Sequence, residues 1–465
     1  MKKSHLKFNV RRLTTCTAIV LAGMLASCSN DDVENKEPEQ PVVAEGNTAS
    51  LKLFEGASQA GRIKHNVTTK TDQQRKLNLV ATVARPEYQE KMNWSATAIA
   101  FNDKGTKAYV TWHSDKQATN PAEYWGGAVD VIDIDGDNNA TMNVSAYSEE
   151  LKFNHVLYDN NTLFLSATSS LTAGTVGRLK LAADGSIDKD KVECIGFPGV
   201  SVNAVAKCND DKLVAVSGYT GTYGTFAVNA PAQLYYEGTD EEKTNAVETA
   251  FDKAAGFGGK YVITEGDQTY VLYNSKDENA KIQIVGGDLI DLGVKLVSSA
   301  KKSELYDYVT GTWSLDGEEH DYYGKHVFAV KNGKAYVACG QNGLLIYDLV
   351  AKEAVYNRYQ DRFSAVGVCA DDKYVYVATG NGLRVYHWVE GTLGETKGQL
   401  MFTEYASEVE DYIDGKPVEG AGLDASTGPN TKRQSANFVA VNPETKDIYV
   451  AYGQSGVFVY RLVEE

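Results

Sequence analysis

Three stretches of the chain are near copies: YVACGQNGLLIYDLV (336–350), YVATGNGLRVYHWV (376–389) and YVAYGQSGVFVYRLV (449–463). Each is an apolar run, a short Gly-containing turn and a second apolar run, the pattern of a β-hairpin. In longer context, another apolar strand and a turn rich in Asp, Asn, Lys and Gly precede the hairpin. Blocks of this form are SATAIAFNDKGTKAYVTW (95–112), FNHVLYDNNTLFLSA (153–167), VNAVAKCNDDKLVAVSG (202–218), KHVFAVKNGKAYVACG (325–340), FSAVGVCADDKYVYVATG (363–380) and ANFVAVNPETKDIYVAYG (436–453). A weaker copy, FDKAAGFGGKYVITEG (251–266), falls in the long gap and brings the number of units to seven.

A third strand follows each unit (among them AVDVIDI, TYVLYN and VFVYRLV). Usually a fourth does too, such as EAVYNRYQ (353–360) or QLMFTEY (399–405). Val, Tyr, Ile and Phe fill the strands, and Gly and Asp fill the turns. Helical periodicity is confined to TDEEKTNAVETAFDKAA (239–255). Four antiparallel strands repeated seven times predict an all-β fold, a seven-bladed β-propeller in which each blade buries its faces against its neighbours. The last unit stops after its third strand, at Leu462 and Val463, and KLNLVATVA (76–84) can supply the fourth. Pairing first with last closes the ring and leaves no unpaired edge there.

On YVATGNGLRVYHW and its two near copies, residues 76–465 resemble the YVTN/LVIVD-type propeller repeats of bacterial surface lipoproteins. The resemblance implies a fold and not an activity, because propellers host lyases, hydrolases, scaffolds and receptors alike.

The amino-terminal end has a separate character. MKKSHLKFNVRR carries five basic residues and no acid, and the apolar TAIVLAGML leads to LASC (25–28). This reads as a signal peptide over 1–27, too short and wrongly flanked for a membrane-spanning helix. LASC resembles a bacterial lipobox, which implies lipidation of Cys28. The polar run 28–50, opening SNDD, reads as a flexible acidic tether and is similar to the surface-export signal of Bacteroidota lipoproteins. Residues 51–75 read as an N-terminal extension, and the propeller occupies 76–465. The expected location is the outer membrane, lipid-anchored and facing outward. Without the first 27 residues the chain has 41 basic against 62 acidic residues, a net charge of −21. That acidity argues against nucleic acid or an anionic membrane surface as partner.

If the first strand of each unit lines the channel, the turns between first and second strands share one face. The second-to-third-strand loops and the unit-to-unit connections share the other. Insertions gather on that second face: HSDKQATNPAEYWGG (113–127) and the segments 286–324 and 404–435. A further insertion spans 229–250. Long excursions from a repeat usually mark a binding face. One polar residue precedes the apolar core of each first strand: Thr97, Asn154, Asn203, Asp252, His326, Ser364 and Asn437. Such a ring either orients a ligand or holds water and neighbouring backbone. The inserted loops are rich in aromatics, including Trp112, Tyr124, Trp125, Tyr219, Tyr223, Tyr235, Tyr236, Tyr306, Tyr308, Trp313, Tyr322, Tyr323, Tyr405 and Tyr412. These either grip sugars, planar cofactors or protein partners, or pin the loops to the body.

The candidate ligand-binding set is therefore Trp112, His113, Tyr124, Trp125, Asn154, Asn203, Tyr219, Tyr223, Tyr306, Trp313, His326, Ser364 and Asn437. No catalytic set emerges, because no paired carboxylates and no GxSxG elbow stand out. No cofactor motif is present, and Cys194, Cys208, Cys339 and Cys369 lack metal-ligand spacing and read as small buried hydrophobes. DIDGDNN (133–139) lacks the Gly of a calcium loop's sixth position, and its twelfth position is Val144 rather than Glu, so it reads as a solvated turn. The sequence thus points to a non-catalytic surface lipoprotein that captures a small molecule or glycan, with a TonB-dependent outer-membrane transporter as expected partner. An adhesion or interaction scaffold is the alternative. A lyase or hydrolase would need convergent acid and base groups.

Overall fold

In the computed structural model the described residues are 48–54, 59–65, 77–86, 93–115, 126–137, 139–169, 173–197, 201–209, 211–218, 222–229, 252–253, 258–274, 278–297, 302–307, 312–320, 326–357, 364–379, 382–389, 399–405, 412–413, 416–417 and 436–462. They form a seven-bladed β-propeller. Blade 1 is Asn93–Phe101, Lys107–Asp115, Gly126–Ile134 and Ala140–Ser148. Blade 2 is Leu151–Asp159, Thr162–Ser169, Ala173–Lys180 and Lys191–Gly196. Blade 3 is Val202–Asn209, Lys212–Ser217, Thr222–Ala227 and the short Asp252–Lys253. Blade 4 is Gly258–Glu265, Gln268–Asn274, Lys281–Ile284 and Leu289–Asp291.

Blade 5 is Phe328–Lys331, Lys334–Ala338, Leu344–Asp348 and Glu353–Asn357. Blade 6 is Ala365–Ala370, Tyr374–Thr379, Gly382–Val389 and Gln399–Tyr405. Blade 7 is Phe438–Val441, Ile448–Ala451 and Val457–Leu462, completed by Leu77–Val83 from the other end of the sequence, with Val457 opposite Val83 and Leu462 opposite Leu77. The first strand of every blade touches that of the next, blade 7 to blade 1 included.

Local chemistry sets the turns. The two-residue turns Asn160–Asn161 and Asn332–Gly333 take left-handed backbone at both positions, the geometry whose twist matches a β-hairpin and which Asn and Gly adopt most readily. Between the sheets, apolar side chains of adjacent blades pack into four clusters among the described residues, the most extended of them with Trp94, Trp112, Tyr109 and Phe153 fully buried.

Three expectations change. KYVITE is not the second strand of the fourth unit but its first, because it pairs with TYVLYN, the segment read as third. The Gly258–Gly259 pair imitated a turn; its real role is close approach, since a Cβ on Gly259 would lie 2.1 Å from the Val216 side chain and 2.5 Å from the Ser217 carbonyl. Asp252, at the end of the expected helix, is instead in the outer strand of blade 3, opposite Tyr223; residues 239–251 lie outside the described residues. Thr48–Ser50, at the end of the expected tether, form a strand.

That strand belongs to a strap. Thr48–Ser50 add a fifth strand to blade 2, Lys52–Leu53 one to blade 1, and Ile63–His65 one to blade 7. At its centre Arg62 is buried. Its guanidinium meets Asp130 through Nη1–Oδ1 at 2.9 Å and Nη2–Oδ2 at 2.5 Å, donates to Gln59 Oε1 at 2.8 Å, and donates through Nε to the Ala84 carbonyl at 2.9 Å. Ser145 and Trp112 Nε1 (2.7 Å) donate to the same Asp130 carboxylate. Both charges therefore keep hydrogen-bond partners on leaving water, which a buried ion pair requires.

Candidate functional site

The strand order divides the loops between two faces. First-to-second and third-to-fourth connections leave one face; second-to-third and blade-to-blade connections leave the other. The segments 116–125, 298–327 and 406–437 root on the second face, as expected. Segment 230–251 roots on the first, because it continues from the end of Thr222–Ala227, where the Val228 amide bonds the carbonyl of the turn residue Asp211. A two-stranded hairpin, Lys302–Asp307 with Thr312–His320, lies within the connection from blade 4 to blade 5, and its backbone register sets Tyr306 opposite Trp313.

Backbone register also redefines the polar ring. Counting from the pair Phe328↔Val337, the equivalent pairs are Ile99↔Val110, Val156↔Leu165, Val205↔Ala215, Val262↔Val271, Val368↔Val377 and Val439↔Val450. Two positions earlier lie Thr97, Asn154, Asn203, Lys260, His326, Val366 and Asn437. Lys260 replaces Asp252, and Val366 replaces Ser364, which sits two residues further out. In five blades this position is a β-bulge, an extra residue left out of the ladder. A bulge re-aims its side chain, so the position serves purposes other than regular sheet packing.

Several ring residues stitch the blades. Asn154 Nδ2 donates to the Val202 carbonyl (2.9 Å) and Ser201 Oγ (2.7 Å) of blade 3. One blade on, Asn203 Nδ2 donates to the Gly259 carbonyl (2.8 Å) of blade 4. Thr97 bonds within its own blade, to Thr111 Oγ1 (2.9 Å). Below them the axis is crossed by aromatic groups. His155 Nε2 meets Tyr261 Oη at 2.9 Å, and the Phe438 ring lies 6.0 Å from His155 and 6.5 Å from Tyr261. Burial pushes the Tyr261 phenol upward, so it stays neutral.

Blades 4 and 5 contribute the two titratable members. Lys260 is 5% exposed, and burial pushes its ammonium down to about 7. His326 is 1% exposed and lowered to about 3, first by burial and then by the nearby Lys260 charge, so the ring is neutral. Its Nδ1 lies 3.0 Å from the Ala338 carbonyl and must donate to it. Nε2 is buried and has no hydrogen-bond partner among the described residues. Gly340 forms the wall there: at φ +63° it bridges Val297 and Ala365, and a Cβ would fall 1.9 Å from the Val297 carbonyl and 2.9 Å from His326 Cε1.

The aromatic candidates separate. Trp112 is fully buried against Asp130 and belongs to the strap, with Arg62 over its ring at 5.5 Å. Its place at the end of a strand suggested the loop face, but strand alternation turns it inward. His113, the next residue, is half-buried. Tyr223 is buried, its ring 6.2 Å from that of Tyr273 in blade 4, and pins blade to blade. Ser364 and Asn437 are half-buried. Tyr124, Trp125, Tyr219, Tyr235, Tyr236, Tyr308, Tyr322 and Tyr323 lie outside the described residues. The acidic turn at 133–139 is a turn held by its own residues: Asp135 accepts the Asp137 and Asn139 amides at 2.9 Å each, and Asp133 pairs with Lys107. Among the described residues no cluster of His, Cys, Asp and Glu could hold a metal ion.

The sequence reading missed Lys260 because KYVI mimics the YVA strand, and the alignment was anchored on that likeness. Hydrophobic spacing alone could have raised the point, since GGKYVITEGDQTYVLYN reads as one hairpin around Gly266–Asp267. No family model matches the chain, and no curated protein matches it in sequence.

Proposed function

We propose that the chain is a lipid-anchored, non-catalytic propeller that captures a small molecule at the loop-bearing end of its channel, on the outer surface of a Gram-negative cell. The observation that carries this reading is the ring at that end. Lys260 and His326, the latter with a buried Nε2 that has no hydrogen-bond partner among the described residues, occupy positions from which the long connections leave. A few polar groups set among apolar and aromatic side chains are how proteins orient small ligands. The anchoring half rests on the sequence: the basic start, the LASC box with Cys28 and the acidic run after it. The likeness of the hairpins to YVTN/LVIVD-type repeats and of the acidic run to Bacteroidota export signals supports the same placement. A TonB-dependent transporter is the natural recipient of a captured nutrient.

The test is retention of metabolites by the compact unit, residues 43–465, from nutrient extracts, followed by mass spectrometry. Saturable retention of one compound, lost on substitution at the ring, supports capture. Retention of none, with binding to glycans or proteins instead, would replace it with the scaffold reading.

A further inference from the structure

The chain reaches its closing strand by a detour over the rim. Thr48–Ser50 lie along blade 2, Lys52–Leu53 along blade 1, and Ile63–His65 along Leu77–Val83 itself. These attachments differ in kind. The strands are two or three residues long, and the Lys52–Glu149 ion pair beside them is exposed on both sides, where solvent screens it. Ala49 and Leu51 are buried, and the Phe54 ring lies 4.8 Å from that of Tyr147. Arg62 alone among the strap's described charged residues is buried, held by Asp130, Gln59 and the Ala84 carbonyl. It also stands at a junction. The Ala84 amide donates to the Arg62 carbonyl at 2.8 Å, and Arg62 Nε donates back to the Ala84 carbonyl at 2.9 Å. Residues 62 and 84 bracket the hairpin that contains the closing strand, so one side chain ties both of its approaches to blade 1.

We propose that the strap is a force latch: tension arriving from the amino-terminal side ends at the Arg62–Asp130 clamp in blade 1 and does not reach the pairing that closes the ring. Chain order sets the path. A pull on the residues before Thr48 meets the short strands on blades 2 and 1, then Arg62, and only afterwards Leu77–Val83. The short strands yield one residue pair at a time. The clamp is bidentate, so both of its bonds must go together, and Asp130 is then left buried without its counter-charge. Removing one partner of a buried ion pair is among the costly single events in a folded chain. Without the strap the same pull would act directly on Leu77, the end rung of the ladder with Val457–Leu462.

Blade 7 needs such protection more than the others do. In every other blade the third and fourth strands are consecutive in the chain, whereas no loop joins Leu462 to Leu77. The ladder between them is the ring's closure, so tension on its fourth strand would open the propeller rather than fray one edge. The latch rests on the anchoring half of the proposed function, because a lipid on Cys28 is what would load this end of the chain.

The experiment holds the full-length chain, with Cys28→Ala to keep it unlipidated, in magnetic tweezers. One handle is an amino-terminal tag; the other is a ligation peptide inserted between Gly266 and Asp267, at an exposed turn of blade 4. The first extension is expected to be a step of about 100 Å, the reach of residues 48–76 at about 3.5 Å each, with ring opening as a later event at higher force. A first step of about 150 Å or more, in which residues 48–92 leave together, overturns the latch. Asp130→Ala should shorten the dwell before the first step at least about tenfold at the same force, a floor below the usual cost of breaking a buried pair. An unchanged dwell overturns the latch, and so does an equal shortening of both dwells, which would mean that Asp130 supports the whole body. Because the step length is read with Asp130 in place, that test does not need the variant to fold. Anchoring is read separately, by membrane fractionation of the wild-type chain against Cys28→Ala. A wild-type chain that stays soluble removes the anchor and leaves the measured latch standing.

Discussion

Among the described residues two cationic side chains are buried, Arg62 beneath the strap and Lys260 at the channel end that bears the long connections. Arg62 is surrounded by acceptors: both Asp130 oxygens, Gln59 and the Ala84 carbonyl. Lys260 has been taken out of water at the channel mouth beside a neutral histidine, and burial has moved its proton affinity by several pH units. The first arrangement joins the N-terminal strap to blade 1 and fixes where the chain begins its circuit. The second keeps a group poised between two protonation states, a condition that costs stability and that folds retain where chemistry or binding uses it. The Arg62 arrangement reads as architecture, and the Lys260 position, where burial shifts the proton affinity, as a candidate site.

The comparison is broken most forcefully at Asp130. Asp130→Ala leaves the Arg62 guanidinium buried without its carboxylate, and a loss of about 3–5 kcal/mol is expected in denaturant unfolding. Replacing both partners, Arg62→Met with Asp130→Leu, should recover most of that loss. If the single variant is as stable as wild type, the clamp is not architecture.

On the other side, Gly340→Ala places a methyl against the Val297 carbonyl beside His326, in left-handed backbone. About 2 kcal/mol should be lost in the same assay. A neutral result would mean that the wall around His326 is soft.

The third effect is a slope. The folded chain holds the Lys260 proton less tightly than the unfolded chain does, so between about pH 7 and the ordinary lysine range the unfolded state binds more protons. Stability therefore rises with pH through that window, by up to about 1.4 kcal/mol per pH unit from this group. His326 acts likewise between about pH 3 and its usual value near 6.5. Lys260→Met should flatten the upper window alone, read from unfolding curves at stepped pH. An unchanged slope would show that Lys260 reaches water.

The smallest effect is the exposed counterpart of both. Lys352→Ala removes a 2.8 Å ion pair with Asp288 that bridges blades 4 and 5 at the surface. No measurable change in unfolding midpoint is expected, because solvent screens it.

What the sequence disclosed follows from how the chain repeats. Blades 5, 6 and 7 share the YVA hairpin nearly letter for letter, so their registers were legible, and so was the closing role of Leu77–Val83, a strand left over at one end for a blade lacking one at the other. Blade 4 was not, because a glycine pair that serves close packing looks like one that turns the chain. The strap was invisible because strands of two or three residues, such as Lys52–Leu53, carry no periodicity. At the ring, the bulges mattered most. They add a residue that hydrogen-bond register reveals, which is why Ser364 stood in for Val366; Lys260 went unseen because KYVI resembles the YVA strand.

The pairing of Leu77–Val83 with Val457–Leu462 has a consequence in time. A chain made from its amino terminus exposes the closing strand early and its partner last, so the ring cannot shut until nearly the whole sequence is available. Contacts this distant along the chain form slowly, because the loop entropy is lost before the pairing repays it. Until then Leu77–Val83 can pair along one edge with Ile63–His65, while its other edge waits open for Val457–Leu462.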